Sequence, residues 1–560
     1  TGTRVNEDYL IEDVPYNLLR YSENQLGGGV WGTVGATTVT ASNIANPTGA
    51  TENVYLISGL TGSGGNDIRQ FPANFNSANQ ILTFSVWLKG SGNIRQQMSN
   101  GVDQAFDQEI TLTSHWQRHI LSVTFNSTSA GSSQFHVNLD DAVSGTSATQ
   151  FYMWGAQLVK GDQPKEYLKT TDRLDIPRID YTNGEPSILL EPSRTNEVTH
   201  SQNFTNGSWN KSFGITITSN QAISPEGIQN ADKLIIDNGT FTLNGGLYIQ
   251  RIGVVNQDVS FSIFAKAGEF RYGTIAYGST NANGFNFDLQ DGVILSTFTA
   301  GSGNYTNIGY EMIPYPNGWY KLIVKTTELK ANNRFIGIRP HNTIPTATSN
   351  NYNSTGDGTS GIFVYGGQLE VGSYATSLIH TSGSAVTRSA DAANNAGNSD
   401  LINSTEGVLY AEILPNKAAT GTYQLISISD SGSNNLVTLG TDQDSVRLFI
   451  GLRQSGSYQA LFQPNANFSE YQKIAISYKV NEFKLYINGT QVDIDTGGSV
   501  FSANTLNSLH FSFGSSSHHY KGNTKMIAVF KEALTDLELE KLTGYNNHEL
   551  YMNYYNRLSY

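Results

Sequence analysis

Cleaving a glycan takes two carboxyl groups flanking the scissile bond, one as acid and one as nucleophile or base. Acidic groupings of that kind occur at Asp140-Asp141, at Asp493-Ile494-Asp495 and along 536–540. Asp140-Asp141 follows a strand-like run and reads as a solvated turn. Asp536 and Glu540 read as the wet face of an amphipathic helix. Asp493 and Asp495 would share one strand face. They follow the Asn488-Gly489 turn and run into Thr496-Gly497-Gly498, which suits the wet end of a short return strand. Nucleophile chemistry is no better provided for. Cysteine is absent, and no Gly-x-Ser-x-Gly elbow stands in a strand–turn–helix setting. His518-His519 is the one adjacent histidine pair, without a third His or an acidic residue at ligand spacing, and reads as a surface loop. Gly27-Gly28-Gly29 precedes Trp31 in a turn-rich stretch, not a helix, and so is not a phosphate loop. No catalytic residue is assigned, and the chain is expected not to be an enzyme.

The composition points the same way. The 560 residues carry a formal net charge of −13, and no two Lys or Arg residues are adjacent. Nucleic-acid binding rests on clustered cations facing phosphates, so that class of partner is excluded. No run is long enough to cross a membrane as a helix, and membrane insertion is not expected. With 11% aromatics, 14% charged residues and 56 glycines, the chain suits an all-β protein of many short strands. Without cysteine there can be no disulfide or thiolate metal site, which fits a bacterial or viral source better than a eukaryotic secreted one. The opening Thr-Gly-Thr-Arg-Val-Asn is no signal peptide and has no initiating Met, so it is expected to be a processed or excised start.

What positions side chains in such a chain is a duplication. Asn17-Leu18-Leu19-Arg20-Tyr21-Ser22 followed by Trp31 is matched by Asn196-Glu197-Val198-Thr199-His200-Ser201 followed by Trp209. Four further matches follow in the same order. Phe84-Ser85-Val86-Trp87-Leu88-Lys89 pairs with Phe261-Ser262-Ile263-Phe264-Ala265-Lys266, and Trp116-Gln117-Arg118 with Trp319-Tyr320-Lys321. Gly155-Ala156-Gln157-Leu158 pairs with Gly366-Gly367-Gln368-Leu369, and both copies then run on to a Tyr near their ends. Each copy has the size of a two-sheet sandwich. Phe84, Val86 and Leu88 should face a core, leaving Ser85, Trp87 and Lys89 on a wet face. Sugar rings stack on aromatic faces while amides and cations bond their hydroxyls. On that ground Trp87, Lys89 and Gln157, and their counterparts Phe264, Lys266 and Gln368, are the ligand-binding candidates. The loops 61–80 and 340–360, which differ between the copies, are where specificity would lie.

The sequence divides as follows: an extended lead-in over 1–15, a first jelly-roll module over 16–176, and a Pro-rich connector over 177–195. A second module spans 196–384, a linker 385–404, a third sandwich 405–546 and a Tyr-rich tail 547–560. In the connector, prolines 177, 186 and 192 exclude a long helix. Ile188-Leu189-Leu190 is expected to pack against a sandwich as an inter-module clasp, with Arg194 reaching a carboxylate. In the third sandwich 473–478 and 483–489 form a hairpin, and 534–542 is a helix capped by Thr535 with Glu538 completing a capping box.

These residues resemble a known family. The openings at Asn17 and Asn196, the strand 84–89, Gly155-Ala156-Gln157-Leu158 and the connector Leu189-Leu190-Glu191-Pro192-Ser193-Arg194-Thr195-Asn196 are similar to jelly-roll modules of bacteriophage tail fibres and tail-associated adhesins. Residues 405–545 resemble a concanavalin-like (laminin-G-like) sandwich through 473–478, Tyr486-Ile487-Asn488-Gly489 and the closing helix. The resemblance implies two tandem jelly-roll β-sandwiches followed by a concanavalin-like one. It also implies a non-catalytic receptor-binding role on a virion tail, outside the cell. The implied partners are bacterial surface polysaccharide, other tail proteins and further copies of the chain, as a homotrimer. The alternatives are a structural or decorating tail protein, a polysaccharide depolymerase, and a secreted glycan-binding protein. No cofactor is expected, while a structural calcium in each jelly roll stays open, since carbonyls and scattered Asp can supply oxygen ligands.

Overall fold

A computed structural model describes residues 2–14, 16–62, 64–72, 80–101, 104–126, 135–171, 177–244, 246–278, 282–299, 303–345, 351–416, 422–443 and 446–544. The expected Tyr-rich tail lies outside them, as do parts of the loops 61–80 and 340–360. The chain is all-β, with one short α-helix among the described residues, and divides into two compact units. One is Pro15–Pro177. The other joins Thr1–Val14 to Arg178–Tyr560.

The Pro15–Pro177 unit is a sandwich of two five-stranded antiparallel sheets. Its central strand Gln80–Gly90 pairs with Gln117–Phe125 on one side and Gln150–Lys160 on the other. Phe84, Val86 and Leu88 point into the core, as period-two alternation requires. The opposite face is less wet than expected, because Ser85 is also buried. Arg118 donates to Ser85 Oγ at 3.0 Å and to the Lys165 carbonyl at 2.9 Å, drawing a return segment over that face. The acidic pair is likewise no solvated turn: both residues are buried. Asp141 Oδ2 accepts from the Thr61 and Gly62 amides at 2.9 and 3.0 Å and from Asn66 Nδ2 at 2.7 Å, while Asp140 takes Arg95 Nε at 3.0 Å.

The second jelly roll packs two six-stranded sheets, and the local devices of the first recur in it. Asn17 Nδ2 donates to the Ala156 and Leu168 carbonyls while Oδ1 accepts the Leu19 and Leu158 amides. Asn196 bonds Gly367, Ile379, Val198 and Leu369 in the same way. Trp31 Nε1 donates to the Tyr21 carbonyl, and Trp209 Nε1 to that of His200. Gly155 and Gly366 sit at φ 61° and 58° beside a register shift, where a Cβ would lie 3.1 Å from the rings of Trp87 and Phe264 respectively. Left-handed backbone and close packing both call for glycine there.

The concanavalin-like sandwich sets a seven-stranded sheet on a five-stranded one. The connector supplies two of the seven strands: Ser187–Leu190 pairs with Gly522–Phe530, and Ile179–Asp180 pairs with Ser187–Leu190. It is part of a sheet, with Leu190 in the core of the concanavalin-like domain. Helix Asp536–Thr543 carries the capping box at Thr535 and Glu538 and buries Leu539 and Leu542. Neither the lead-in nor the linker is merely extended chain. Thr3–Val5 and Ile11–Asp13 form a hairpin whose Val5 and Ile11 pack with Phe264, Trp319 and Leu378. Val386–Arg388 pairs with Arg194–Asn196. Arg194 reaches no carboxylate among the described residues; its guanidinium lies 5.2 Å from the Tyr374 ring centroid. Arg178 and Arg388 take the acidic partner instead, both donating to Glu191.

One ion-pair cluster fastens the hairpin. His380 Nε2 lies 2.7 Å from Glu226 and Nδ1 3.4 Å from Asp13. Burial alone would lower its pKa, but the two carboxylates outweigh it and hold the imidazole at about 9. A raised folded-state pKa stabilises fully below the ordinary histidine value near 6.5 and is lost as pH rises through about 9. Protease cleavage within 2–13 is therefore expected to accelerate between pH 6.5 and 9.5 in the native chain. In His380→Gln it should be fast and flat across that range; an unchanged native rate at both pH values would sink the pairing.

Candidate functional site

The six sequence-derived candidates fall into two groups that share one geometry. In the first unit Arg118 stands opposite Trp87 on the neighbouring strand and donates to Gln157 Oε1 at 3.1 Å; Gln157 Nε2 reaches the Glu166 carbonyl at 3.0 Å. In the second, Lys321 stands opposite Phe264, with its Nζ 5.8 Å from the ring centroid. Gln368 Nε2 donates to the Ser377 carbonyl at 3.1 Å, and its Oε1 accepts the Ile379 amide at 2.6 Å. Gln157, Phe264 and Gln368 are at most 1% exposed, because each holds down the return segment of its sandwich and does not face solvent. Trp87, Lys89 and Lys266 are half-buried on the same faces. Arg118 and Lys321 complete the two groups, and the repeated Trp-x-Arg/Lys start of their strands marks both positions in the sequence.

A different surface has the chemistry sought there. In the five-stranded sheet of the concanavalin-like domain Val437, Leu439, Ile450, Leu452, Ala460 and Phe462 face the core. Alternation then puts Thr438, Gly440, Phe449, Gly451 and Arg453 on the outer face, joined by Tyr458, the cross-strand partner of Arg453. Six side chains close a circuit on this face. His518 meets Tyr423 at 5.3 Å between ring centroids, Tyr423 meets Phe449 at 5.0 Å, and Phe449 meets Tyr458 at 5.8 Å. The Arg453 guanidinium lies 5.7 Å from the Tyr458 ring and 5.8 Å from that of Phe513, and Phe513 returns to His518 at 6.0 Å. The ring pairs are edge-to-face, the arrangement their quadrupoles favour.

The sheet beneath is built to admit these rings. Thr438 and Gly451 are cross-strand partners, and a Cβ on Gly451 would come within 3.2 Å of the Tyr458 ring. Arg453 is held by its own loop, donating from Nε to the Gly456 carbonyl and from Nη1 to that of Ser433, both at 2.9 Å. Tyr458 is 37% exposed, with Leu461 at 42% beside it. The result is a partly exposed aromatic surface, with Phe449 itself buried at 7%, one fixed cation and an exposed imidazole at its edge. Stacking of C–H faces and hydrogen bonding to hydroxyls are the interactions it offers. His518 belongs to this circuit, and no cluster of three or more metal-ligating side chains occurs among the described residues. Asp493 and Asp495 lie on the strand Thr490–Asp495, which is exposed for most of its length. No local motif announces the circuit, since its members come from three separate stretches of the sequence, at 423, 449–458 and 513–518.

Residues 388–540 match the Laminin_G_3 family, described as the concanavalin A-like lectin/glucanases superfamily. No curated protein matches the chain. Among solved structures it is similar to the carbohydrate-binding module CBM40 of the Ruminococcus gnavus IT-sialidase bound to α2,3 sialyllactose, at 15% identity over 25% of this chain and 84% of that one, with a TM-score of 0.22. It is similar to the native heptameric SAP-like pentraxin of Limulus polyphemus at 13% identity, over 27% and 76% of the two chains, with a TM-score of 0.23. The tandem CBM22-1–CBM22-2 domain of Paenibacillus barcinonensis Xyn10C is 12% identical over 64% of this chain and 99% of that one, with a TM-score of 0.21.

Proposed function

We propose that the chain is a non-catalytic adhesion component that binds bacterial surface glycan, as part of the tail fibre of a phage or phage-like particle outside the cell. The observation that carries the binding half is the circuit of Tyr423, Phe449, Tyr458, Arg453, Phe513 and His518 on the outer face of the five-stranded sheet. The half-exposed Tyr458 ring beside a fixed cation suits one face of a sugar ring, and a single such contact suits weak binding multiplied across copies in an oligomer. The tail-fibre half rests on the resemblance of the jelly-roll openings and the connector. With no pair of carboxylates assigned to bond cleavage, host polysaccharide should keep its length after incubation with the protein.

The test is a binding screen of the purified chain on capsule and lipopolysaccharide from candidate hosts. Tyr458→Ala is expected to weaken the best ligand about 30-fold, the effect of a central aromatic contact worth about 2 kcal/mol, with the melting temperature little changed. Undiminished binding by Tyr458→Ala and Arg453→Ala together would remove this surface from the proposal. Failure to bind any glycan, together with tight assembly onto another tail protein, would favour a structural role.

A further inference from the structure

A cavity of about 360 Å³ lies where the connector, the lead-in hairpin, the second jelly roll and the concanavalin-like domain meet. This is at the small end of the ~300–1,000 Å³ range of small-molecule sites. One wall is the outer face of the jelly roll, where Tyr315, Lys321 and Ile323 share a side of neighbouring strands. Phe264 and Tyr315 meet there edge-to-face at 5.0 Å.

Most charged groups lining the cavity are already paired. Lys325 is bonded to Glu311, Arg4 to Glu12, and Glu191 to Arg178 and Arg388, while Asp180 accepts the Val5 and Thr182 amides at 2.9 and 3.0 Å. Two groups are left. Lys321, 5% exposed, donates from Nζ to the Thr376 carbonyl at 2.7 Å and has no carboxylate of a described residue within ion-pair distance. An ammonium has three donors. The buried Ser373 Oγ, lining the same cavity, has no hydrogen-bond partner among the described residues. A buried ammonium bonded to no carboxylate and a buried hydroxyl without a partner both cost stability, and an anion that reached both would relieve both. Burial depresses the Lys321 pKa even with Glu370, Glu191 and Glu311 in its surroundings.

We propose that this cavity binds an acidic monosaccharide of the hexuronate class. The carboxylate takes Lys321 Nζ and Ser373 Oγ, and the apolar face of the sugar ring rests against Tyr315. A neutral hexose fills the same space but leaves the ammonium uncompensated. The site is separate from the aromatic circuit and does not depend on it.

Calorimetric titration of the full chain with D-glucuronate, with D-glucose and acetate as controls, tests the assignment. Saturable binding of glucuronate is expected, with glucose and acetate each at least about tenfold weaker. Lys321→Met should weaken glucuronate about 10–100-fold, the worth of a charge-assisted bond. Because that variant alters a buried site, Ser469→Trp serves beside it. Ser469 is an exposed residue lining the cavity, and the indole should obstruct entry and abolish binding in a chain that still folds. Tyr458→Ala should bind glucuronate as the native chain does. No saturable glucuronate binding up to about 10 mM, equal binding of glucose, or full binding by both Lys321→Met and Ser469→Trp would each overturn the proposal.

Discussion

Replacing Glu191 by alanine is expected to destabilise the Arg178–Tyr560 unit by about 3–5 kcal/mol, the cost of removing one partner from a buried ion pair. Glu191 is 4% exposed, with Arg178 at 6% and Arg388 at 4%. Its Oε2 accepts Arg178 Nη1 and Ser377 Oγ at 2.8 and 2.7 Å together with Arg388 Nη1, and Oε1 accepts the Ser377 amide at 2.8 Å. Alanine would leave two guanidiniums buried without that partner. Desolvation pushes the Glu191 pKa up, but Arg388 and Arg178 outweigh it and hold the carboxyl at about 2. Against an ordinary value near 4.5, at 1.36 kcal/mol per unit, that is roughly 3 kcal/mol. A depressed pKa stabilises above about 4.5 and is lost as pH falls through about 2. The native chain should therefore weaken steeply below pH 4.5, and Glu191→Ala should lose that part of the acid response. Amide exchange across 186–196 and 386–391 reports the local opening. A cost below about 1 kcal/mol would mean the cluster is not what holds the joint. Replacing Arg178, Glu191 and Arg388 together by Met, Leu and Met should recover much of the loss.

Asn196→Ala carries the second large effect. The side chain is fully buried and bonds two carbonyls and two amides, so its removal leaves four backbone groups to find partners in a dry interior. At about 1–3 kcal/mol for each group left unsatisfied, a loss of at least about 3 kcal/mol follows, read as a shift in the denaturant midpoint of that unit. Asn17→Ala should cost as much in Pro15–Pro177, where Asn17 serves the same four roles. A difference above about 2 kcal/mol between the two would show that the shared geometry does not carry shared energy.

These two clusters mark where the sequence was readable and where it was not. The asparagine network could be anticipated because its key residues lie in local motifs that occur twice: Asn17 and Asn196, Trp31 and Trp209, Gly155 and Gly366. The strand alternation of 84–89 and the cap at Thr535 were legible for the same local reason. The ion cluster was not, because Arg178, Glu191, Arg388 and Asp391 lie up to 213 residues apart and each is unremarkable in its own surroundings. Composition did not show that three residues of the linker 385–404, Val386–Arg388, pair as a short strand with Arg194–Asn196. Strand alternation misled at Gln157 and Gln368. It tells which way a side chain points but not whether another segment lies over it, and in both sandwiches one does. The aromatic circuit needed the fold, since cross-strand register alone brings Tyr458 beside Arg453.

The division of the chain also sets an order of events during synthesis. Residues 15–177 interrupt a unit whose first strand, Thr3–Val5, is fastened through Thr3 Oγ1 to the Leu378 carbonyl, 375 residues further on. At about 5–20 residues per second, a ribosome needs roughly 20–75 s to make that partner. The interrupting sandwich has its whole sequence by Pro177 and can fold as soon as it emerges. The hairpin that precedes the sandwich must wait for partners made after it, so Thr3–Val5 is made before the sandwich and docks later.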